Sequence, residues 1–153
     1  MRCHRLIATL AALQFALVFA PNLAIAGPYG DEFTKCLVRS TTEADKNFLV
    51  KWMFAAMASH PEVKSMAAIS AEKADELNKG TAILFQKLLT ESCLTQTREA
   101  IKYEGGSPIE GGFTVLGSVA ARGLMSHPDV AVFMSGMGQY LDSEKIEAAL
   151  GTP

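Results

Sequence analysis

Apolar residues recur through most of this chain at the three- and four-residue spacing of an α-helix, and this pattern limits the fold more than any other feature. One example is the stripe of Leu77, Leu84, Phe85 and Leu88 within residues 71–90. Such spacing places apolar side chains on one face of a helix. No segment alternates apolar and polar residues for long enough to predict a strand. The sequence therefore predicts an all-α fold, a small helical bundle of about six to seven helices.

Breaks between the apolar stripes set the predicted helix boundaries. Ser70 is a good N-cap, Gly151 a good C-terminal stop, and prolines suit only the first turn of a helix. Before the second helix, Ser40 with Glu43 has capping-box spacing, as does the less typical pair Thr42 with Asp45. We predict helical residues at 31–39, 43–58, 61–68, 71–90, 99–103, 113–125 and 128–141, and a last short helix from 143 to the stop at Gly151.

Residues 105–112 read Gly-Gly-Ser-Pro-Ile-Glu-Gly-Gly. They follow no strand, and they match neither the GxGxxG nor the GKS/T phosphate-binding pattern. A mobile connector is therefore favoured over a phosphate cradle. We predict an exposed binding loop here, with Tyr103, Ile109 and Glu110 as its contact residues.

The first 26 residues have the three parts of an export signal. Arg2 and Arg5 supply a positive start, Leu6–Ala20 is almost wholly apolar, and Ala24 and Ala26 are the small residues that a signal peptidase requires. The apolar run is shorter than the roughly 20 residues that span a bilayer, so a permanent anchor is the weaker alternative. We predict that residues 1–26 are a cleaved signal peptide and that the protein is periplasmic or extracellular.

The remainder, residues 27–153, is long enough for one domain and too short for two ordinary ones. Loss of Arg2 and Arg5 lowers the 14 basic residues to 12, against 16 acidic residues, so this part carries a net charge of −4. Its Lys and Arg residues are scattered. An acidic surface without a basic cluster argues against nucleic acid or an anionic membrane as the partner.

Two cysteines follow the predicted cleavage point, Cys36 and Cys93. An even pair in an oxidising compartment predicts a disulfide, which would close a long loop and stabilise the fold by roughly 3–4 kcal/mol. The alternative is two buried thiols. Neither cysteine belongs to a CxxC pair, so a redox or metal role has little support.

Two breaks in the helical pattern resemble each other: Ser59-His60-Pro61-Glu62-Val63 and Ser126-His127-Pro128-Asp129-Val130. At the shift of 67 residues that aligns them, core positions on both sides agree in character. This favours two related helix–kink–helix units, about 43–77 and 110–144, over a coincidence of helix-starting residues.

The two histidines in these breaks, His60 and His127, are the candidate metal ligands or bases, with Glu62 and Asp129 beside them. Helix capping explains the same residues more simply. No nucleophile lies in a recognisable catalytic pattern, so we predict neither catalytic residues nor a cofactor. Six methionines follow the signal and are assigned to the core in preference to copper or apolar binding: Met53, Met57, Met66, Met125, Met134 and Met137.

Three functions fit these features. The favoured one is a non-catalytic protein-binding module, such as a periplasmic inhibitor or immunity-type protein whose partner is another protein. The second is a binder of a metal or small molecule in a cavity lined by Trp52, Phe85, Phe133 and the methionines. The third is an enzyme of unrecognised type.

Overall fold

The computed structural model describes residues 27–151; the predicted signal peptide lies outside this range. Within it the chain is helical and contains no strand. Seven α-helices confirm the predicted all-α bundle: α1 Pro28–Ser40, α2 Glu43–Ala58, α3 Ala71–Lys87, α4 Leu94–Glu104, α5 Ser107–Met125, α6 Pro128–Ser135 and α7 Ser143–Leu150. Short 3-10 turns cover Lys64–Met66 and Gly136–Tyr140, and a π-helical turn covers Leu88–Ser92.

The predicted caps account for several of these boundaries. Of the two capping-box pairs before α2, the one that forms joins Thr42 and Asp45, each accepting a hydrogen bond from the other's backbone N–H. Ser70 caps α3, and Asp142 caps α7, which ends at Gly151 with the positive φ of 60° that glycine adopts readily.

The core lies where α1 packs against α4 and α5, and α2 packs against α3 and α5. Phe33 and Leu37 of α1 are completely buried, together with Leu88 and Leu116. The predicted disulfide between Cys36 and Cys93 is present, with a Cα–Cα distance of 5.8 Å. It ties α1 to the start of α4.

The predicted glycine-rich loop at residues 105–112 is wrong. Helix α4 ends at Gly105, whose φ is 80°, and α5 begins only two residues later at Ser107. Gly112 is therefore helical and buried, and a Cβ there would lie 2.7 Å from the ring of Phe33. The glycine serves close packing of α1 on α5, a use that composition cannot separate from a flexible turn.

The C-terminal residues also differ from the prediction. The expected helix over 128–141 stops at Ser135, and its apolar residues, which were assigned to the core, remain outside it. From Ser126 to Gly151 every residue is exposed except the half-buried Val130 and Gly136. We call residues 27–125 the body and residues 128–151 the C-terminal arm.

The methionine prediction fails for the same reason. Met53 packs against the core, but Met57, Met66, Met125, Met134 and Met137 are at least half exposed. Three of these five lie in or beside the arm, and Met66 lies in the single 3-10 turn that replaces the predicted helix over 61–68.

The two Ser-His-Pro breaks share a local geometry. Ser59 and Ser126 each donate to the carbonyl three residues earlier, and the Nδ1 atoms of His60 and His127 each accept the backbone N–H two residues later at 3.3 Å. Beyond the prolines the segments diverge, because Pro61 leads into turns and Pro128 opens α6. The duplication over 43–77 and 110–144 stays a prediction.

Candidate functional site

A groove open to solvent runs along the body between α2, α3 and α5, with a volume of ≈ 560 Å³. We call it the Trp52 groove. Its apolar floor is formed by side chains from all three helices: Leu49, Trp52, Met53, Phe85, Phe113 and Leu116. Ligand-binding clefts in proteins have volumes of about 300–1,000 Å³ and are mostly apolar, so this groove has the size and lining of a binding site.

Three aromatic rings give the groove its shape. Phe85 of α3 and Phe113 of α5 lie with ring centroids 4.2 Å apart, and Trp52 of α2 meets Phe85 edge-on at 6.3 Å. The Trp52 indole N–H donates to Oδ1 of Asn78 at 2.9 Å. Because its one polar atom is already paired, the indole can present its apolar ring to a bound molecule without leaving a donor unsatisfied.

The hydroxyl groups that line the groove donate hydrogen bonds to carbonyl groups of their own helix. The Thr114 hydroxyl donates to the carbonyl of Glu110, and the Ser118 hydroxyl donates to the carbonyl of Thr114, both at 2.9 Å. Glu110 is the charged residue of the lining, and its side chain is exposed. The groove therefore combines an apolar floor with one carboxylate, a chemistry suited to binding.

Gly117 sits in the groove wall and leaves space above it. A Cβ added there would meet only the Met53 sulfur, at 3.9 Å, an ordinary contact. A larger side chain at this position would fill the groove and leave the backbone of α5 in place.

The three predicted contact residues do not form one surface loop. Tyr103, on α4, stacks on Tyr29 with centroids 4.5 Å apart and lies beneath the Lys102 ammonium. Ile109 is half-buried against the core. Of the three, Glu110 alone belongs to the Trp52 groove.

The groove corresponds in part to the cavity that the sequence suggested for a small molecule. Trp52, Phe85 and Met53 line it as expected, but Phe133 belongs to the arm. Phe113 and Gly117 were missed, although their four-residue spacing beside Leu116 was a signal that could have placed them on one face of α5.

The weak metal candidates, His60 and His127, are both used locally. Each ring accepts the backbone N–H two residues on; His127 thereby caps α6, the role that the sequence favoured, whereas His60 precedes turns and no α-helix. Within residues 27–151 no three His, Cys, Asp or Glu side chains come together in a group that could hold a metal ion.

In comparisons with known proteins, no protein-family model, no curated protein and no solved structure matches this chain. None of the helices described at residues 27–151 has both the length and the apolar character needed to span a membrane.

Proposed function

We propose that this protein is an exported, non-catalytic protein-binding module of the inhibitor or immunity type, acting in the periplasm or outside the cell. The observation that carries the proposal is the Trp52 groove, an open apolar channel on a body fastened by a disulfide. The disulfide between Cys36 and Cys93 is compatible with an oxidising compartment.

The lining of the groove supports a partner that presents an apolar, helical surface. An amphipathic helix that lays apolar residues at helical spacing into the channel would cover Trp52, Phe85 and Phe113 together. A lysine or arginine on that helix would pair with Glu110, and the acidic net charge of residues 27–153 would attract a basic partner. Aromatic side chains in such a channel are the residue types that dominate binding energy at protein interfaces.

The test uses one substitution at two glycines of the same helix. Gly117→Leu fills the groove, whereas Gly111→Leu adds the same side chain at an exposed position with no neighbour within 4 Å. The disulfide-bonded protein and both variants are used as baits in envelope extract from the producing cell. A partner retained by the wild type and Gly111→Leu but lost by Gly117→Leu supports the proposal. Equal retention by all three baits, or no partner at all, contradicts it.

A second candidate function is binding of a small apolar molecule in the same groove, and the groove volume favours it. Trp52 is the single tryptophan of the chain, so its fluorescence reports directly on the groove. Native mass spectrometry of protein purified from its own compartment would detect a retained ligand. A clean protein mass, with no change in Trp52 emission when an apolar dye is added, would rule out this candidate.

A further inference from the structure

The C-terminal arm carries a large apolar surface that no part of residues 27–151 covers. Phe133 is 81% exposed and Tyr140 is 82% exposed. Six more large apolar side chains of the arm are 42–78% exposed: Val132, Met134, Met137, Leu141, Ile146 and Leu150. Helices of eight residues are unstable without packing, so α6 and α7 need a surface to pack against.

The hinge between the body and the arm holds the arm away from the body. Ser126 and His127 form it, and both are fixed by hydrogen bonds, to Gly123 at 3.0 Å and to Leu124 at 3.1 Å. Pro128 follows directly and restricts His127 to extended backbone. The contact between the arm and the body is slight and joins α6 to α5, the helix directly before the hinge. Because this hinge is short and held by hydrogen bonds, residues 27–151 leave the apolar face of the arm uncovered.

A second groove on the body offers a matching surface. It has a volume of ≈ 370 Å³, and we call it the Phe54 groove. Its floor is apolar and consists of Val50, Phe54, Ile69, Leu77 and Leu124. It is separate from the Trp52 groove, with which it shares no lining residue.

Charge supports the pairing of the arm with this groove. The two charged residues of the groove lining are both lysines: Lys73 is ion-paired with Glu76 at 2.8 Å, and Lys51 supplies the positive charge for a partner. The arm is acidic, because one lysine is outnumbered by Asp129, Asp142, Glu144 and Glu147. An acidic apolar segment and a basic apolar groove on the same chain are complementary surfaces.

We propose that a second copy of this chain covers the arm: two protomers exchange arms, and each arm packs its apolar residues into the Phe54 groove of its partner. In a two-fold symmetric dimer, the arm of each protomer is covered and the Phe54 groove of each protomer is filled. Eight exposed apolar side chains bring on the order of 800 Å² per arm. Half of that area in both arms, matched by an equal area of the body in and around the two Phe54 grooves, reaches the roughly 1,200–2,000 Å² of a stable interface.

The oligomeric state of the protein in solution tests this exchange of arms, which does not involve the Trp52 groove. The mass of the purified, disulfide-bonded protein in solution is measured by light scattering across a concentration series. We expect a dimer for the wild type and a monomer for both Phe133→Asp, on the arm, and Phe54→Asp, in the groove. Ile83→Asp, at a position on α3 that is 68% exposed and outside both grooves, is the matched control and stays dimeric. Gly117→Leu also stays dimeric, so failure of the Trp52-groove proposal leaves this test unaffected.

Mixing the two monomeric variants tests exchange directly. A heterodimer of Phe133→Asp with Phe54→Asp restores one intact arm in one intact groove, so tagged Phe133→Asp should retain untagged Phe54→Asp, while neither variant retains itself. Unchanged circular dichroism of each variant verifies that the body is folded. A monomeric wild type overturns the proposal; resistance of its arm to protease would then indicate packing on its own body, and cleavage would indicate a different partner. A dimer that survives both substitutions, or a mixture without retention, also overturns it.

Discussion

The carboxylate of Glu104, the last residue of α4, accepts hydrogen bonds from the backbone N–H groups of Tyr29 at 2.8 Å and Gly30 at 3.0 Å, in the first turn of α1. No side chain at the N-cap position, Gly27, performs this task. A residue distant in sequence thus caps α1, where a negative charge also suits the helix dipole. The disulfide joins Cys36 of α1 to the start of α4, so these two antiparallel helices are fastened at both ends.

The first prediction concerns this contact, which we call the Glu104 clasp. Glu104→Ala leaves two amides without their acceptor and should lower the free energy of unfolding by about 1–2 kcal/mol. Glu104→Gln keeps one acceptor oxygen and should lose about half as much. Urea denaturation measures both effects. Glu99→Ala, at an exposed position of the same helix, is the control and should change stability by less than about 0.5 kcal/mol.

The second prediction compares two adjacent glycines of α5. Gly112→Ala places a methyl group 2.7 and 2.8 Å from Phe33 ring carbons and 3.1 Å from Leu37, so it should destabilise by about 1–3 kcal/mol. Gly111→Ala meets no atom within 4 Å and should stabilise by about 0.5–1 kcal/mol, because alanine favours helix. Thermal unfolding of both variants checks the opposite signs. Equal shifts in the same direction would contradict the close packing of α1 on α5.

The third prediction concerns the disulfide, which closes a loop with a sequence separation of 57 residues. The double variant Cys36→Ala, Cys93→Ala should lose roughly 3–4 kcal/mol, since the unfolded chain regains the entropy that the crosslink removed. Adding a reductant to the wild type should lower its stability to a similar extent and leave the double variant unchanged. Equal stability with and without reductant would show that the crosslink contributes little.

The fourth prediction is a pH dependence at the start of α2. The hydrogen bond from the Thr42 hydroxyl, at 2.6 Å, holds the pKa of Asp45 below its ordinary value of 3.8, although partial burial opposes this. The unfolded chain therefore binds the proton more readily than the folded one, so this contribution is complete above about pH 4 and is lost as the pH falls through the lowered pKa.

The measurement is urea denaturation of the wild type and Asp45→Ala over a range of pH. At neutral pH the variant should be less stable by about 0.5–2 kcal/mol, the usual value of a helix cap. The difference between the two proteins should shrink below about pH 4. A difference that stays constant into strong acid would mean that the charge of Asp45 is not what stabilises the cap.

The sequence predicted the parts of this fold that depend on neighbouring residues. Spacing and capping, which are local, predicted the bounds of α2, the Ser70 cap, the stop at Gly151 and the buried position Leu77. The pairing of Cys36 with Cys93 followed from their even number and the predicted oxidising compartment.

Features that depend on distant contacts were missed. Gly112 is read locally as a turn residue, and only the approach of Phe33 makes it a helical packing site. The role of Glu104 depends on the start of α1, some 75 residues away. For the arm, the pattern of apolar residues predicted burial in the core, which is wrong for residues 27–151, because an apolar stripe does not state which surface packs against it.

Gly27 lies both against the Glu104 clasp and next to the predicted cleavage point of the signal peptide. A methyl group on this residue would lie too close to the Glu104 carboxylate, so a side chain at position 27 would require the end of the Glu104 side chain to move. The same residue directly follows Ala26, where the signal peptide is predicted to be removed. Alanine here would leave Ala24 and Ala26 of the predicted signal unchanged, yet it would displace the carboxylate that caps α1. The residue that follows the predicted cleavage point would therefore affect the stability of the mature protein as well as its export.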